Sequence, residues 1–358
     1  MINTRKRFTC WRCSALLAAA SLAVFAPAVA AADPKLVAEI AAYSGPDRSQ
    51  RLEQGAKKEG QLLTLYTSAP VDDVAVLTNA FEKKYGIKVR VWRSSSENIL
   101  QRLVTEARAG RFEADIVETN GPEMEGLHRE KLLQEVRSPY LGDLIPQAIP
   151  PHREWISTRI NIFSLAYNTK AVKKEDLPKS YEDLLNPKWK GKLGIEAADE
   201  DWFAGVVGEM GEARGVKLFR DIVAANGISV RKGHTLLTQL VISGEVPLAL
   251  TVYNYKADQL KNQGAPIDWM VIQPAIARPQ GMGAARNAVH PHAALLFFDF
   301  MLSDAQLLLR KRDFVPTSKK VDSPLNKFPM KFIDPKVILD DDAKWTKLYQ
   351  DVFTKQSR

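Results

Sequence analysis

Leu62-Leu63-Thr64-Leu65-Tyr66 opens the stretch that decides the fold. It is an apolar run of β-type residues, closed by the turn-like Thr67-Ser68-Ala69-Pro70. Val74, Leu77 and Phe81 then recur on one helical face, and Gly86 stops that helix as a C-terminal cap. Ile87 to Val91 is a second strand, with β-branched residues at Ile87, Val89 and Val91. Ser94 followed by Glu97 reads as a capping box for a helix carrying Leu100, Leu103, Val104 and Ala107, which ends at Gly110. Asp115-Ile116-Val117 is a third strand. Strand, helix, strand, helix, strand predicts right-handed crossovers and a mainly parallel sheet. In such sheets ligands gather beyond the carboxyl ends of the strands. Those ends are Thr67-Ser68, Trp92 to Ser96 and Glu118 to Gly121. Plain loop and capping chemistry is the competing account of these polar residues.

Downstream, Trp155 to Tyr167 reads as a long strand leaving this first lobe, and a second α/β region runs from about Ala171 to Asp268. Its strand ends are Glu196 with Asp199, Glu200 and Asp201 beyond it, Arg231-Lys232-Gly233-His234-Thr235, and Tyr253-Asn254-Tyr255. The fold class expected is therefore α/β, in two lobes with mixed sheets. The lobe boundaries expected are 31–160 with about 270–315, and 161–269 with about 316–358.

Composition sets further limits. At 358 residues, 45% apolar and 26% charged, the chain has the make-up of a soluble globular protein. Arg5, Lys6, Arg7 and Arg12 precede an apolar run from Ser14 to Phe25, and Ala28-Val29-Ala30 follows with small-x-small spacing. This is the pattern of a cleavable secretory signal over residues 1–30, cut after Ala30. Both cysteines, Cys10 and Cys13, leave with it, and the formal charge falls from +8 to +4. A mature chain so weakly basic, without a Lys/Arg tract interleaved with aromatics, gives no nucleic-acid signal. The compartment expected is the periplasm or the cell exterior. No apolar run of spanning length follows residue 30, so the mature chain is not expected to cross a membrane.

Leu177-Pro178-Lys179-Ser180-Tyr181-Glu182-Asp183-Leu184-Leu185-Asn186-Pro187-Lys188-Trp189-Lys190-Gly191-Lys192 resembles a signature of the periplasmic solute-binding proteins of ABC importers. So do Asn287-Ala288-Val289-His290-Pro291-His292-Ala293-Ala294, the Phe297 to Ser303 run with Gln306, the opening Tyr66-Thr67-Ser68, and Ala80 to Val89. The matches run in order from Glu59 to Pro316. The resemblance is to type II binding proteins, extracellular solute-binding family 1, with ferric-ion binders as the nearest branch. It implies two lobes joined by crossover strands that close on a ligand. It also implies a monomer that delivers its load to an inner-membrane permease driven by a separate ATPase. The chain itself has no Walker A pattern.

The resemblance implies no resident cofactor, but it allows Fe(III) as cargo. Ferric binders of this branch use a His, a Glu and two adjacent tyrosines, often with an anion. Here Pro70 stands at the His position and Asn120 near the Glu position. The tyrosine pair becomes Asn254-Tyr255, with Tyr253 one step earlier. Tyr253 and Tyr255 would face opposite sides of an extended strand. Two ligand classes stay open. One is a rearranged metal site from Tyr255, His234 and a carboxylate of Glu196, Asp199 or Asp201. The other is a small organic anion or zwitterion, its anionic end held by Arg93 with Ser94, Ser95 and Ser96 at a helix N-terminus. The acidic cluster would take an amine, although acidic residues also suit the first turn of a helix. Thr67, Ser68, Arg93 to Ser96 and Asn120 would contribute from the first lobe, and Glu196, Asp201, His234, Tyr253 and Tyr255 from the second.

Two other functions compete. A secreted hydrolase would need Ser94 to Ser96 with a His, yet no GxSxG elbow occurs. A ligand-loaded adaptor for a membrane sensor would share the carrier's sequence. His290-Pro291-His292 looks like a metal pair, but it sits at a helix start where a structural role is expected. Trp92, Trp155 and Trp202 are candidates for pocket walls or for core.

Overall fold

The computed structural model describes residues 32–323 and 329–355. The expected signal segment, with Cys10 and Cys13, lies outside them.

In the first lobe, helices α1 (Pro34–Ala42) and α2 (Arg48–Lys58) precede β1 (Leu62–Thr67). The expected alternation follows, as α3 (Val71–Tyr85), β2 (Lys88–Arg93), α4 (Ser96–Arg108), β3 (Ile116–Asn120) and α5 (Gly121–Arg129). Gly86 ends α3 in the left-handed region at φ 70°, which a residue with a Cβ adopts only at a cost. The cap of α4 is Ser95, whose Oγ accepts from the Asn98 amide, so the Ser94–Glu97 capping box is displaced by one residue. A short β4 (Leu133–Gln134) then leads to β5 (Ile156–Asn168), thirteen residues long and buried throughout.

β5 carries the chain into the second lobe. There β6 (Leu193–Glu196), α6 (Glu200–Met210), α7 (Glu212–Asn226), β7 (Ser229–Arg231), α8 (His234–Ser243), β8 (Leu248–Tyr253), α9 (Asn254–Asn262) and β9 (Ile267–Met270) follow. The signature-like segment before β6 forms short 3₁₀ turns, including Glu182–Leu185 and Pro187–Trp189. β10 (Ile276–Ala285) then returns beside β5, followed by α10 (Pro291–Leu302), α11 (Asp304–Lys311) and β11 (Val315–Pro316). The chain closes with β12 (Lys331–Phe332), α12 (Pro335–Asp340), α13 (Asp342–Tyr349) and a π turn at Gln350–Thr354.

The strands hydrogen-bond in the order β2-β1-β3-β10-β5-β8-β6-β7, with β4, β9, β11 and β12 at the sides. β1, β2 and β3 are parallel, as are β6, β7 and β8. β10 and β5 run antiparallel to each other and to β3 and β8, which joins the parallel strands into the mixed sheet expected. β5 is shared. Its first half pairs with β10 and β11, and its second half with β8 and β9.

α10 is buried on nearly every side, and α2 packs against it. Its apolar residues therefore read as the core helix of a globular lobe. Among the described residues no single helix is long and apolar enough to cross a membrane. His290 and His292 anchor its start. The His290 amide and ring meet Asp115 at 2.8 and 2.9 Å, and the His292 amide meets Glu59 at 3.1 Å. The second lobe has an aromatic core in which Phe203 meets Phe219, Trp345, Tyr349 and Phe353, with ring centroids 5.4 to 6.5 Å apart. Trp155 and Trp202 are core residues, 3% and 1% exposed.

The C-terminal segment touches both lobes. α12 packs on α5 and α13 on α6. Arg129 Nη1 lies 2.7 Å from Asp340 on one side, and Lys344 Nζ lies 2.5 Å from Glu212 on the other.

Phe203→Ala removes the centre of the aromatic cluster and should lower the unfolding free energy by about 3–5 kcal/mol, read by urea denaturation.

Candidate functional site

β5 and β10 are buried, yet each carries an arginine in mid-strand. Arg159 and Asn161 alternate with apolar residues on β5, and Arg278 and Gln280 do so on β10. Arg278 pairs across the strands with Asn161, and Gln280 with Arg159, so all four side chains share one face. Gln280 reaches Ser68 at the end of β1 (3.3 Å), and Arg278 reaches residues beyond β6 and β8. That face is therefore the floor between the two sets of strand ends.

A buried guanidinium must be paired. Arg278 Nε donates to Asp201 Oδ2 at 2.5 Å, and Nη2 donates to Asp201 Oδ1 and, at 3.2 Å, to Asp199 Oδ1. Nη1 donates to the Tyr253 hydroxyl, and the guanidinium lies 4.6 Å over the Phe163 ring. Arg159 repeats the arrangement from the first-lobe side. Its Nη1 donates to Glu118 on β3, whose other oxygen accepts from the Thr67 hydroxyl. Its guanidinium lies 4.8 Å from the Phe314 ring centre. Its Nε is buried and has no hydrogen-bond partner.

Glu196, Asp199 and His234 offer ligand atoms within 4.8 Å of one another. His234 Nδ1 lies 2.9 Å from the Thr251 carbonyl, and Nε2 lies 3.3 Å from Asp199 Oδ1. Burial works against protonation of His234, but Asp199 and Glu196 raise its pKa above the ordinary value. Burial likewise opposes ionisation of Asp199, which His234 and Arg278 nevertheless hold below its ordinary range. Burial, with Asp199 nearby, pushes Glu196 up. Its oxygens accept from the Gly233 amide (2.7 Å) and the Ala198 amide. Burial and Asp201 push Glu200 to about 7, and burial pushes Glu123 of α5 to about 8. This acidic cluster is thus partnered from within, by the Arg278 guanidinium and the His234 ring, and burial favours the neutral form of Glu196 and Glu200. A metal ion would have to displace these partners.

A second His–carboxylate group, Glu125, His128 and His152, is equally unsuited. Its two imidazoles stack at 3.7 Å and 11°, so their ring planes do not meet within bonding reach of both rings.

The tyrosines depart from expectation. β8 ends at Tyr253 and α9 begins at Asn254, so strand alternation stops before Tyr255. The two rings stack, with centroids 5.9 Å apart at 17°, rather than facing opposite ways. They serve different neighbours. Tyr253 lies 4.1 Å from the His234 ring and beside Arg278. Burial dominates the environment of Tyr255, whose charged neighbours are Arg159, Asp73, Glu118 and Arg93. Tyr255 is thus grouped with the Arg159 end, whereas His234 and Glu196 belong to the Arg278 end.

Of the first-lobe candidates, Ser68 is central. Its Oγ accepts from Thr119 Oγ1 (3.1 Å) and from Gln280. Asn120 precedes α5 and is half-buried, without capping that helix through its side chain. Arg93 is exposed and donates to the Ala69 carbonyl at 3.3 Å. Ser94 accepts from Asn98 Nδ2 (3.1 Å), Ser95 caps α4, and Ser96 is buried in its first turn. Among the described residues none of these three hydroxyls hydrogen-bonds to a histidine. Ser94 and Trp92 line a separate open groove of about 470 Å³ along α4, where Arg102 lies over the Trp92 ring.

Sequence reasoning placed Glu118 at a strand end but did not single out Arg159, Arg278, Asn161 or Gln280. The available signal was a lone charged residue within each of two strands that carry no other charge.

The model of the bacterial extracellular solute-binding proteins matches residues 114–338, more than half of the chain. The Fe(3+)-binding periplasmic protein of Serratia marcescens is 26% identical over 202 residues, 56% of this chain and 59% of that one. This chain therefore spans about three-fifths of that relative's length. The structure of iron-bound HitA from Pseudomonas aeruginosa superposes with a TM-score of 0.72 at 22% identity, covering 81% of this chain and 99% of that one. AfuA from Actinobacillus pleuropneumoniae, solved with fructose-6-phosphate, gives 0.72 at 21% identity, covering 82% and 98%. These likenesses show a two-lobed type II periplasmic binding fold. The chain belongs to the bacterial extracellular solute-binding proteins.

Proposed function

We propose that this chain is the periplasmic capture component of an ABC importer and that its cargo is a small organic anion or zwitterion. The observation that carries the choice of cargo is Arg278, whose guanidinium fills the acidic cluster a metal ion would need. With Arg159 it places two cations on the floor of the site, an unfavourable neighbourhood for Fe(III). The Tyr253 oxygen, which a ferric ion would need, is already engaged by Arg278.

Capture would proceed by closure about β5 and β10. The ligand contacts both lobes only when they are closed, and so shifts the balance toward that form. A permease with its own ATPase would then receive the closed form. A ferric reading retains support from the iron-binding relatives and from the stacked tyrosine pair. The hydrolase reading lacks a Ser–His contact among the described residues.

Ferric nitrilotriacetate added to the purified protein should give no visible tyrosinate-to-iron band, and a band lost in Tyr255→Phe would establish the metal reading instead. Native mass spectrometry of protein from its own periplasm should show a retained organic mass. X-ray scattering should show compaction on adding that compound, and steady consumption of it would point to an enzyme.

Arg278→Met leaves Asp199 and Asp201 buried without their partner and should cost about 3–5 kcal/mol of stability by chemical denaturation. A pH effect follows from His234. Its folded pKa lies above the unfolded value near 6.5. The stability it contributes is full below that unfolded value and is lost as pH rises through the folded one. In Asp199→Asn, NMR of the ring proton should show the His234 midpoint moving down, and the loss of stability with it to lower pH.

A further inference from the structure

We infer, on the basis of the organic-carrier reading, that the cargo is a hydroxylated monocarboxylate whose carboxylate is held by Arg159 and the Tyr255 hydroxyl. Arg159 is 2% exposed, yet Glu118 takes only part of its guanidinium and the buried Nε has no partner. An unpartnered buried donor is costly, and a carboxylate accepting from the guanidinium fork removes that cost. Tyr255 adds a second donor beside it, since its ring lies 4.1 Å from that of Phe314, which the Arg159 guanidinium also overlies, and a phenol O–H donates.

Charge fixes the number of anionic groups. Around Tyr255 stand Arg159 and Arg93, with Glu118 and Asp73. Asp73 is already held by Arg312, whose Nε and Nη2 lie 2.8 and 2.6 Å from its Oδ1. Arg93 is exposed to water and Arg312 is paired with Asp73, so Arg159 is the floor guanidinium with a free donor, and it suits one anionic group. The other end offers no such guanidinium, since Arg278 is committed to Asp199, Asp201 and Tyr253. A dicarboxylate or a phosphomonoester would carry a charge without a partner.

The floor between the two arginines describes the rest of the molecule. Thr119 donates to Ser68, Gln280 donates to Ser68, and Asn161 Nδ2 donates to Gln280 Oε1 at 3.2 Å. The Asn161 Oδ1 and Asn254 Nδ2 atoms are buried and unpartnered, one an acceptor and one a donor. Neutral groups that alternately give and accept hydrogen bonds match hydroxyls, which do both.

Isothermal titration with D-glycerate, D-gluconate and D-glucuronate tests this, with D-glucose, glucose 6-phosphate and ferric nitrilotriacetate as comparators. At least one acid should bind more tightly than every comparator. Tyr255→Phe, which leaves the ring packing intact, should weaken that acid about tenfold. The paired change Arg159→Met with Glu118→Gln removes the ion pair without stranding a charge and should abolish binding, with the circular dichroism unchanged. Acids that bind no better than glucose, a preference for glucose 6-phosphate, or full affinity in Tyr255→Phe would each overturn the inference. If another organic solute compacts the protein while the acids fail, only this inference falls. If no organic solute binds and ferric ion alone does, the organic-carrier reading falls with it.

Discussion

The bonds from Arg278 to Asp199 and Asp201 tie a strand shared with the first lobe to the loop that starts the second lobe's first long helix. A guanidinium in the middle of a buried strand is tolerated only with such partners, because its desolvation cost is several kcal/mol. Meeting that demand draws in Tyr253 and, through Asp199, His234. The positions of Asp199, Asp201 and Tyr253 follow from satisfying this one cation, and that of His234 follows through Asp199. It also converts what reads in sequence as a carboxylate cluster into a closed network of ion pairs.

Arg159 is the counterpart on the first-lobe side, and the comparison is informative. Both arginines rise from crossover strands, lie over a phenylalanine and contact a carboxylate from a strand-end segment. They differ in completeness. The donors of Arg278 are taken up by three side chains, whereas Arg159 keeps a buried N–H unpaired. A finished pair stabilises a particular arrangement of strands. An unfinished one keeps hydrogen-bonding capacity for something that arrives later.

The two-lobed fold was legible because local signals agreed. Val74, Leu77 and Phe81 mark the buried face of α3, Gly86 its end, and the β-branched run Ile87, Val89 and Val91 the following strand. The antiparallel course of β10 was not legible, since its partners lie more than a hundred residues away in sequence. The site was partly legible. Strand-end position led to Ser68, His234 and Tyr255, which do stand at the floor or beside it. It also led to Ser94 and Ser95, which serve α4, because a capping serine and a ligand-binding serine have the same local sequence. The stacked tyrosines were misjudged at one residue, since α9 starts at Asn254 and a strand-to-helix switch resets the side-chain directions.

The C-terminal segment gives the molecule one more mechanical property. In the proposed closure, β5 and β10 would be the crossover strands about which the halves turn. β12 pairs with β10 itself, and beyond it α12 rests on α5 and α13 on α6. The C-terminal segment thus starts at the crossover and is tied to both sides of it, through Arg129–Asp340 on one and Lys344–Glu212 on the other. A strap so placed would turn with the halves, and those two ion pairs would be the contacts that a wide opening strains.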